Sequence, residues 1–316
     1  MPENSPANIR IADAAAIADA ARLLRAGGLV AVPTETVYGL AARADSEAAV
    51  AAIYRAKGRP DVNPLIVHVA GLEQAERLAR LDARASRLAE HFWPGALTLV
   101  VPCRSDAVLA PAVTAGLPTV ALRCPAHPVM QALLRQTGLP LAAPSANRSG
   151  GVSPTSAAHV AASLGAKADL ILDGGPCATG IESTIVALRE GGGWQVLRPG
   201  PLSEAQISGI IGESPAEMTR GSVIEAPGQL ASHYAPGKPL RLDARQAAPD
   251  EFHIGFGAVP GDFSLSPAGN LGEAAGTLYA ALHRAAEASQ PRIAVAPIPA
   301  DGIGAAINDR LRRAAA

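Results

Sequence analysis

LVAVPTETVYGL, residues 29–40, is the stretch that decides the fold class of this 316-residue chain. Its first five residues are apolar and end in proline, a pattern typical of a buried strand. The preceding segment, 13–26, carries apolar residues at helical spacing and stops before two glycines, so it predicts a helix. A helix that runs directly into a buried strand indicates an α/β fold.

The same alternation continues along the first two-thirds of the chain. Helices are predicted near 46–57, 72–80, 82–92, 127–136 and 155–164, and strands near 64–69, 96–101, 118–124, 139–145, 168–173, 183–188 and 194–199. We therefore expect a first α/β domain over residues 1–211. Residues 240–316 again mix strand and helix patterns, and they predict a second, smaller α/β domain.

Residues 212–239 separate these two regions and are rich in Pro, Gly and Ser without any period. A linker of this length is usually either functional or disordered. Two interpretations therefore stay open, a flexible tether and a segment that acts at the site.

Composition excludes several classes of protein. With 48% hydrophobic residues and a net charge of −1, the chain can form a core and is not disordered as a whole. No uninterrupted apolar stretch reaches the ~18 residues of a membrane span, and the N-terminus lacks the pattern of a secretory signal. Three separated cysteines indicate reduced thiols rather than disulfides or a zinc site. We expect a cytoplasmic protein.

Two short segments carry candidate binding groups. The predicted strand at 29–33 is followed by hydroxyls, a carboxylate and a phenol, and strand ends are where α/β proteins bind ligands; ordinary turn chemistry is the alternative. Lys57 and Arg59 follow a predicted helix, in a chain with only three lysines among its 27 basic residues. An ammonium suits a phosphate as a point charge and a guanidinium suits it as a fork. The alternative for Lys57 is a partner for the helix dipole, and for His68 a satisfied core histidine.

A third segment, APSANRSGGVSPT (143–155), is small, polar and placed before a predicted helix. Such a segment can form an anion cradle. The chain has no Walker A motif, no GxGxxG, no HExxH, no GxSxG and no paired CxxC. Hydroxyls, amides and cations suit the positioning and neutralisation of a nucleotide rather than covalent catalysis, and we expect no resident metal.

Taken together, these segments resemble the threonylcarbamoyl-AMP synthase family, which has the YrdC-like fold. The matching motifs are PTETVYGL (33–40), KGRPDVNPLIVH (57–68), FWPGALTLV (92–100), ALRCPAHP (121–128), APSANRSGGVSPT (143–155), ILDGGPCATGIESTIV (171–186), LRPGPLS (197–203), APGQLASHYAP (226–236) and GIGAAINDRL (302–311). The resemblance implies an α/β fold in which a YrdC-like twisted mixed-sheet domain (1–211) precedes a linker closing over the active site (212–239). A smaller Rossmann-like α/β C-terminal domain (240–316) follows.

The resemblance also implies a nucleotidyltransferase that converts L-threonine, bicarbonate and ATP into threonylcarbamoyl-AMP and pyrophosphate, with Mg²⁺ carried by ATP and no tightly bound cofactor. Downstream enzymes would transfer the threonylcarbamoyl group to tRNA, and direct tRNA binding stays open. The implied catalytic residues are Lys57 and Arg59. The implied ATP-binding residues are Lys57, Arg59, Asn63, Thr119, Ser145, Asn147, Ser153, Arg198 and Tyr234. The implied threonine pocket consists of Thr36, His68, Arg123, the backbone at Ala143, and Ser183.

Two positions depart from the family pattern. Gln229 stands where the family usually has Met, and Ala187 stands where Asp is frequent. A non-catalytic RNA-binding module with the same fold is the competing interpretation, but the net charge of −1 counts against it. Carbamoyl transfer in hydrogenase maturation is a third, and its paired CxxC fingers are absent.

Overall fold

A computed structural model describes residues 7–58, 63–216, 225–228 and 233–316. The strands of the first part are β1 (Ile9–Ile11), β2 (Val30–Val32), β3 (Gly39–Arg43), β4 (Ile66–His68), β5 (Leu97–Pro102), β6 (Thr119–Arg123), β7 (Leu141–Ala142), β8 (Leu170–Asp173), β9 (Thr184–Leu188) and β10 (Trp194–Arg198). Its helices are α1 (Ala14–Arg25), α2 (Glu47–Lys57), α3 (Leu72–Glu76), α4 (Ala83–Phe92), α5 (Pro111–Thr114), α6 (Pro128–Thr137), α7 (Ala157–Leu164) and α8 (Glu204–Ile211), with a 3-10 turn at Gly165–Lys167.

These ten strands form one mixed sheet in the order β1-β8-β2-β3-β7-β4-β6-β5-β9-β10. The β1/β8, β2/β8, β4/β6 and β5/β9 pairs are parallel, while β2/β3, β3/β7, β4/β7, β5/β6 and β9/β10 are antiparallel. The central strands are buried along almost their whole length, as a sheet covered on both faces requires. The expected twisted mixed sheet is confirmed.

The last part of the chain forms a four-stranded parallel sheet in the order β11-β14-β12-β13. Its elements are β11 (Leu240–Arg241), β12 (Glu251–Gly255), β13 (Phe263–Ser264), α9 (Leu271–Glu287), β14 (Arg292–Val295) and α10 (Ile303–Ala314). The smaller α/β unit predicted after the linker is therefore present.

Several local predictions need correction. Strands β1 and β3 and helices α5 and α8 were not predicted. The helix predicted at 72–80 ends at Glu76. Strand β3 was missed because its sequence, GLAAR, consists mostly of residues with low strand propensity. Its pairing with β2 and β7 places it in the sheet.

The two sheets are joined by a common core. The apolar cluster of the second sheet, built on α9 and α10, also contains Val37, Val152, Ile181 and Tyr234 from the first part and the linker. Helix α9 thus packs directly against segments predicted to form the site. No helix in the described parts of the chain is long and apolar enough to cross a bilayer.

Candidate active site

A small cavity of about 50 Å³ lies where β2, β4, β6 and β7 end, beneath the linker. Seven of the predicted site residues line it, namely Thr36, His68, Arg123, Ala143, Ser145, Arg198 and Tyr234. Linker residues Pro227, Gly228 and His233 line it as well. A cavity of this volume holds only a few water molecules, so it is too small for a nucleotide.

Arg123 provides the cation at the floor of the cavity, at the end of β6, and is 4% exposed. Its Nε donates to the carbonyl oxygen of Gly95 at 3.2 Å, and its Nη1 donates to Thr36 Oγ1 at 2.9 Å. Its Nη2 forms an ion pair with Glu35 Oε1 at 2.6 Å. A buried guanidinium held by neighbouring acceptors is prepared for a planar anion such as a carboxylate.

His68 lines the same cavity from the end of β4 and is 3% exposed. Burial and the nearby Arg123 cation lower its pKa to about 3, so the imidazole is neutral at physiological pH. Its Nδ1 is buried and has no hydrogen-bond partner among the described residues. A buried nitrogen without a partner is not what the interpretation as a satisfied core histidine predicts.

Lys57 ends α2 and reaches across to the small, polar segment 143–155. Its Nζ donates to the carbonyl oxygens of Ser145 and Asn147, both at 2.5 Å, and its own carbonyl accepts from Ser149 N at 2.9 Å. These bonds run to the loop and not to the helix, so they argue against the dipole interpretation. Asn147 Oδ1 is buried without a partner among the described residues. The Lys57 ammonium is thus in direct contact with the segment 143–155, which was predicted to bind the nucleotide.

A buried ionic network lies beside the cavity and includes Glu182, which lines it. Glu182 Oε1 accepts from Ser153 Oγ at 2.6 Å, and Oε2 accepts from Tyr279 Oη at 2.8 Å and from Arg310 Nε at 2.9 Å. Burial alone would raise the pKa of Glu182, but the Arg310 and Arg198 cations and the Ser153 bond outweigh it and hold the pKa at about 2. The carboxylate is ionised and links the two parts of the chain.

Tyr234 is the linker residue that closes the cavity, and it is 1% exposed. Its ring stacks on Tyr279 with centroids 5.6 Å apart, and the Arg310 guanidinium lies 5.5 Å from its centroid. The next residue, Ala235, donates its N–H to the carbonyl oxygen of Gly150 at 2.8 Å. Tyr234 has a φ of +65°, which is unfavourable for a non-glycine residue and is held by these surroundings.

The other predicted residues lie outside the cavity wall. Ser183 is fully buried behind it, where its Oγ contacts Thr98 Oγ1 at 2.7 Å and accepts from Arg198 Nη2 at 3.1 Å. Thr119 begins β6 at the end opposite Arg123. Asn63 is buried, and its carbonyl oxygen accepts from Tyr54 Oη at 3.0 Å.

Two predictions fall on positions that the structure does not describe, Arg59 and Gln229. The second departure, Ala187, is fully buried in β9 and belongs to an apolar cluster with Ala226 of the linker. An aspartate there would place a carboxylate in apolar surroundings, so Ala187 and the linker residue fit each other.

Sequence reasoning missed three residues of the network: Glu182, Tyr279 and Arg310. Glu182 stands next to a predicted pocket residue, and Arg310 stands in a matching motif, so both had a local signal. Their contact joins positions 128 residues apart, and no spacing pattern reveals such a contact.

The site combines a buried guanidinium, a neutral imidazole and a loop held by lysine, beside the ends of the strands of an α/β sheet. Groups of this kind are typical of proteins that bind small polar and anionic ligands. A family model described as "Telomere recombination" matches residues 22–200, and one described as "Threonylcarbamoyl-AMP synthase, C-terminal domain" matches residues 202–316. The chain belongs to the threonylcarbamoyl-AMP synthase family.

Relatives and solved structures agree with this assignment. The chain is 43% identical to the threonylcarbamoyl-AMP synthase of Bacillus subtilis over 95% of its own length and 92% of the relative's. It is 40% identical to the protein of that name from Pyrococcus abyssi, over 93% and 92% of the two chains. The crystal structure of P. abyssi Sua5 complexed with L-threonine superposes with a TM-score of 0.86 at 36% identity, covering 98% of this chain and 96% of that one.

Proposed function

We propose that this chain is an L-threonylcarbamoyladenylate synthase, which converts L-threonine, bicarbonate and ATP into threonylcarbamoyl-AMP and pyrophosphate. The observation that carries the proposal is that Lys57 and the 143–155 loop adjoin the cavity that Arg123 and His68 line. Full-length similarity to proteins named threonylcarbamoyl-AMP synthase supports it over a non-catalytic RNA-binding module.

The threonine end of the site is assigned to Arg123, Thr36 and His68, together with the backbone at Ala143 and with Ser183. Arg123 pairs with the substrate carboxylate, because its terminal nitrogens match a carboxylate in geometry and charge. His68 lines the cavity and its Nδ1 has no partner among the described residues, so we assign it a hydrogen bond to the polar groups at the α-carbon. Any buried group that bonds the threonine hydroxyl disfavours valine, which would leave that group unpaired.

The nucleotide end is assigned to Lys57 with Arg59, Ser145 and Asn147, together with Asn63, Thr119, Ser153, Arg198 and Tyr234. Lys57 and Arg59 stabilise the charge that develops on the departing pyrophosphate. Magnesium enters as part of the substrate, bound to the triphosphate, where it neutralises the phosphate oxygens. The described residues include no group of three or more His, Cys, Asp or Glu suited to a resident ion, whereas the open Asn147 Oδ1 is an oxygen of the kind Mg²⁺ accepts.

The reaction then needs positioning more than covalent catalysis. Bicarbonate takes up a proton and loses water to give CO₂, and the threonine amine adds to this CO₂, forms a carbamate and releases a proton. A carbamate oxygen attacks the α-phosphorus of ATP, the bond to the bridging oxygen breaks, and pyrophosphate leaves with that electron pair. His68 is a poor base for the amine because its pKa is about 3, so we assign no general base. The product is an activated acyl group, which tRNA-modifying transferases in the cytoplasm would consume.

The test is direct. The purified chain is incubated with ATP, Mg²⁺, bicarbonate and L-threonine, and pyrophosphate is measured. We expect release that depends on both threonine and bicarbonate, with L-valine giving at least tenfold less. Release that is the same without threonine would refute the proposal.

A further inference from the structure

Glu35 touches the candidate threonine cation without lining the cavity. Its Oε1 pairs with Arg123 Nη2 at 2.6 Å, and its Oε2 accepts from the backbone N–H of Ala126 at 3.0 Å. Its own carbonyl oxygen accepts from Thr179 N at 2.8 Å. The Glu35 carboxylate is thus held between the Arg123 guanidinium and the backbone N–H of Ala126, and Glu35 does not line the cavity.

The contacts of Arg123 among the described residues do not use all of its N–H groups. Gly95 accepts from Nε and Thr36 from Nη1, while Glu35 accepts from Nη2. A guanidinium has five N–H groups, and within the described chain these acceptors engage one on each nitrogen. Each terminal nitrogen therefore keeps a second N–H beyond these contacts, and because Arg123 lines the cavity, a carboxylate there can accept from the guanidinium.

The charges of Arg123 and Glu35 also indicate that the two side chains form a pair. The side chains of Arg123 and Glu35 are 5% and 15% exposed, and a guanidinium this buried is costly without a counter-ion. Burial raises the pKa of Glu35, but Arg123 outweighs that effect and the pKa lies below its ordinary value, so Glu35 is ionised. Glu35 accepts from one terminal nitrogen of Arg123, so the guanidinium can keep this contact while its other N–H groups meet a substrate carboxylate.

We propose that Glu35 is a positioning residue for threonine recognition, which holds the Arg123 guanidinium in the orientation that receives the substrate carboxylate. This inference rests on the proposed function. It assigns Glu35 no contact with substrate and no role toward ATP.

The test compares L-threonine with L-threoninamide, which keeps the reacting amine and lacks the carboxylate. Three variants are used: Glu35→Ala, the milder Glu35→Gln, and Glu76→Ala as an exposed control. We expect Glu35→Ala to raise KM for threonine ~10- to 100-fold while KM for ATP changes less than twofold. The preference for threonine over threoninamide should fall at least tenfold in Glu35→Ala, fall less in Glu35→Gln, and stay unchanged in Glu76→Ala.

The outcomes separate the two proposals. If the wild-type chain releases no threonine-dependent pyrophosphate, the proposed function itself is wrong. If the wild-type chain is active but the Glu35 variants lose threonine and threoninamide activity equally, or lose ATP affinity as much, the role of Glu35 is only structural and the inference is overturned. Should Glu35→Ala fail to fold, the preference ratio of Glu35→Gln decides between the same two results.

Discussion

Arg310, in the last helix, donates from Nε to Oε2 of Glu182 at 2.9 Å, and this buried ion pair fastens the C-terminal unit to the candidate active site. Arg310 is fully buried and Glu182 is 6% exposed. Glu182 also accepts from the hydroxyls of Ser153 and Tyr279, and Arg310 also pairs through Nη1 with Asp309 Oδ2 at 2.8 Å. Such a pair is costly to break from one side.

Removal of the cation is the first prediction. We expect Arg310→Met to lower the free energy of unfolding by about 3–5 kcal/mol, because it removes the cation that donates directly to a buried carboxylate. Arg312→Met is the matched control, since Arg312 lies on the same helix and is exposed, and it should change stability by less than ~0.5 kcal/mol. Urea unfolding followed by circular dichroism measures both. Equal, small effects would show that the pair contributes little.

The Glu182 carboxylate of the same pair predicts that the stability of the chain depends on pH. The pKa of Glu182 is about 2 in the folded chain and 4.5 ordinarily. A depressed pKa contributes stability that is fully present above pH ~4.5 and is lost as the pH falls toward 2, in total about 3 kcal/mol. The stability difference between the wild-type chain and Glu182→Gln should therefore shrink between pH 5 and pH 3. A constant difference across that range would contradict the assignment.

The third prediction concerns the close packing of Gly180 against helix α9. A Cβ added at Gly180 would lie 2.4 Å from the carbonyl oxygen of Ala275 and 2.5 Å from Cα of Gly276, both in α9. Gly180→Ala should lower the melting temperature much more than Gly191→Ala. Gly191 also has a positive φ, but a Cβ there meets nothing within 4 Å among the described residues. The control thus carries the conformational cost of about 1 kcal/mol alone. Similar losses in both variants would mean that α9 moves away freely.

The sequence predicted the local parts of this site and missed the long-range ones, for physical reasons. Lys57 stood out because lysine is rare in this chain, and 143–155 because small polar residues preceded a helix. The Glu182–Arg310 pair depends on how α10 docks, and the partners of a docked helix leave no mark in its own periodicity. Strand β3 was missed because its neighbours in the sheet, rather than its own propensity, place it there.

Lys57 carries the fourth prediction. Its ammonium both holds the 143–155 loop and adjoins the assigned phosphate site. Lys57→Met should therefore cost some stability and reduce turnover at least 100-fold, while exposed Lys167→Met should change neither. Pyrophosphate release and urea unfolding are measured on the same preparations. A loss of activity no larger than the unfolded fraction accounts for would assign Lys57 a purely structural role.

Tyr234 tests whether the linker acts at the site or only connects two domains. Its ring stacks on Tyr279 and contacts the Arg310 guanidinium, and Tyr234 also lines the cavity. Tyr234→Ala removes the stacking and the cation–π contact, so a bound nucleotide would lose its cover. We expect KM for ATP to rise at least tenfold, whereas Tyr234→Phe, which keeps the ring, should remain within threefold of the wild-type chain. If both variants bind and turn over ATP as the wild-type chain does, residues 212–239 are a tether, and the closed cavity is not part of the catalytic cycle.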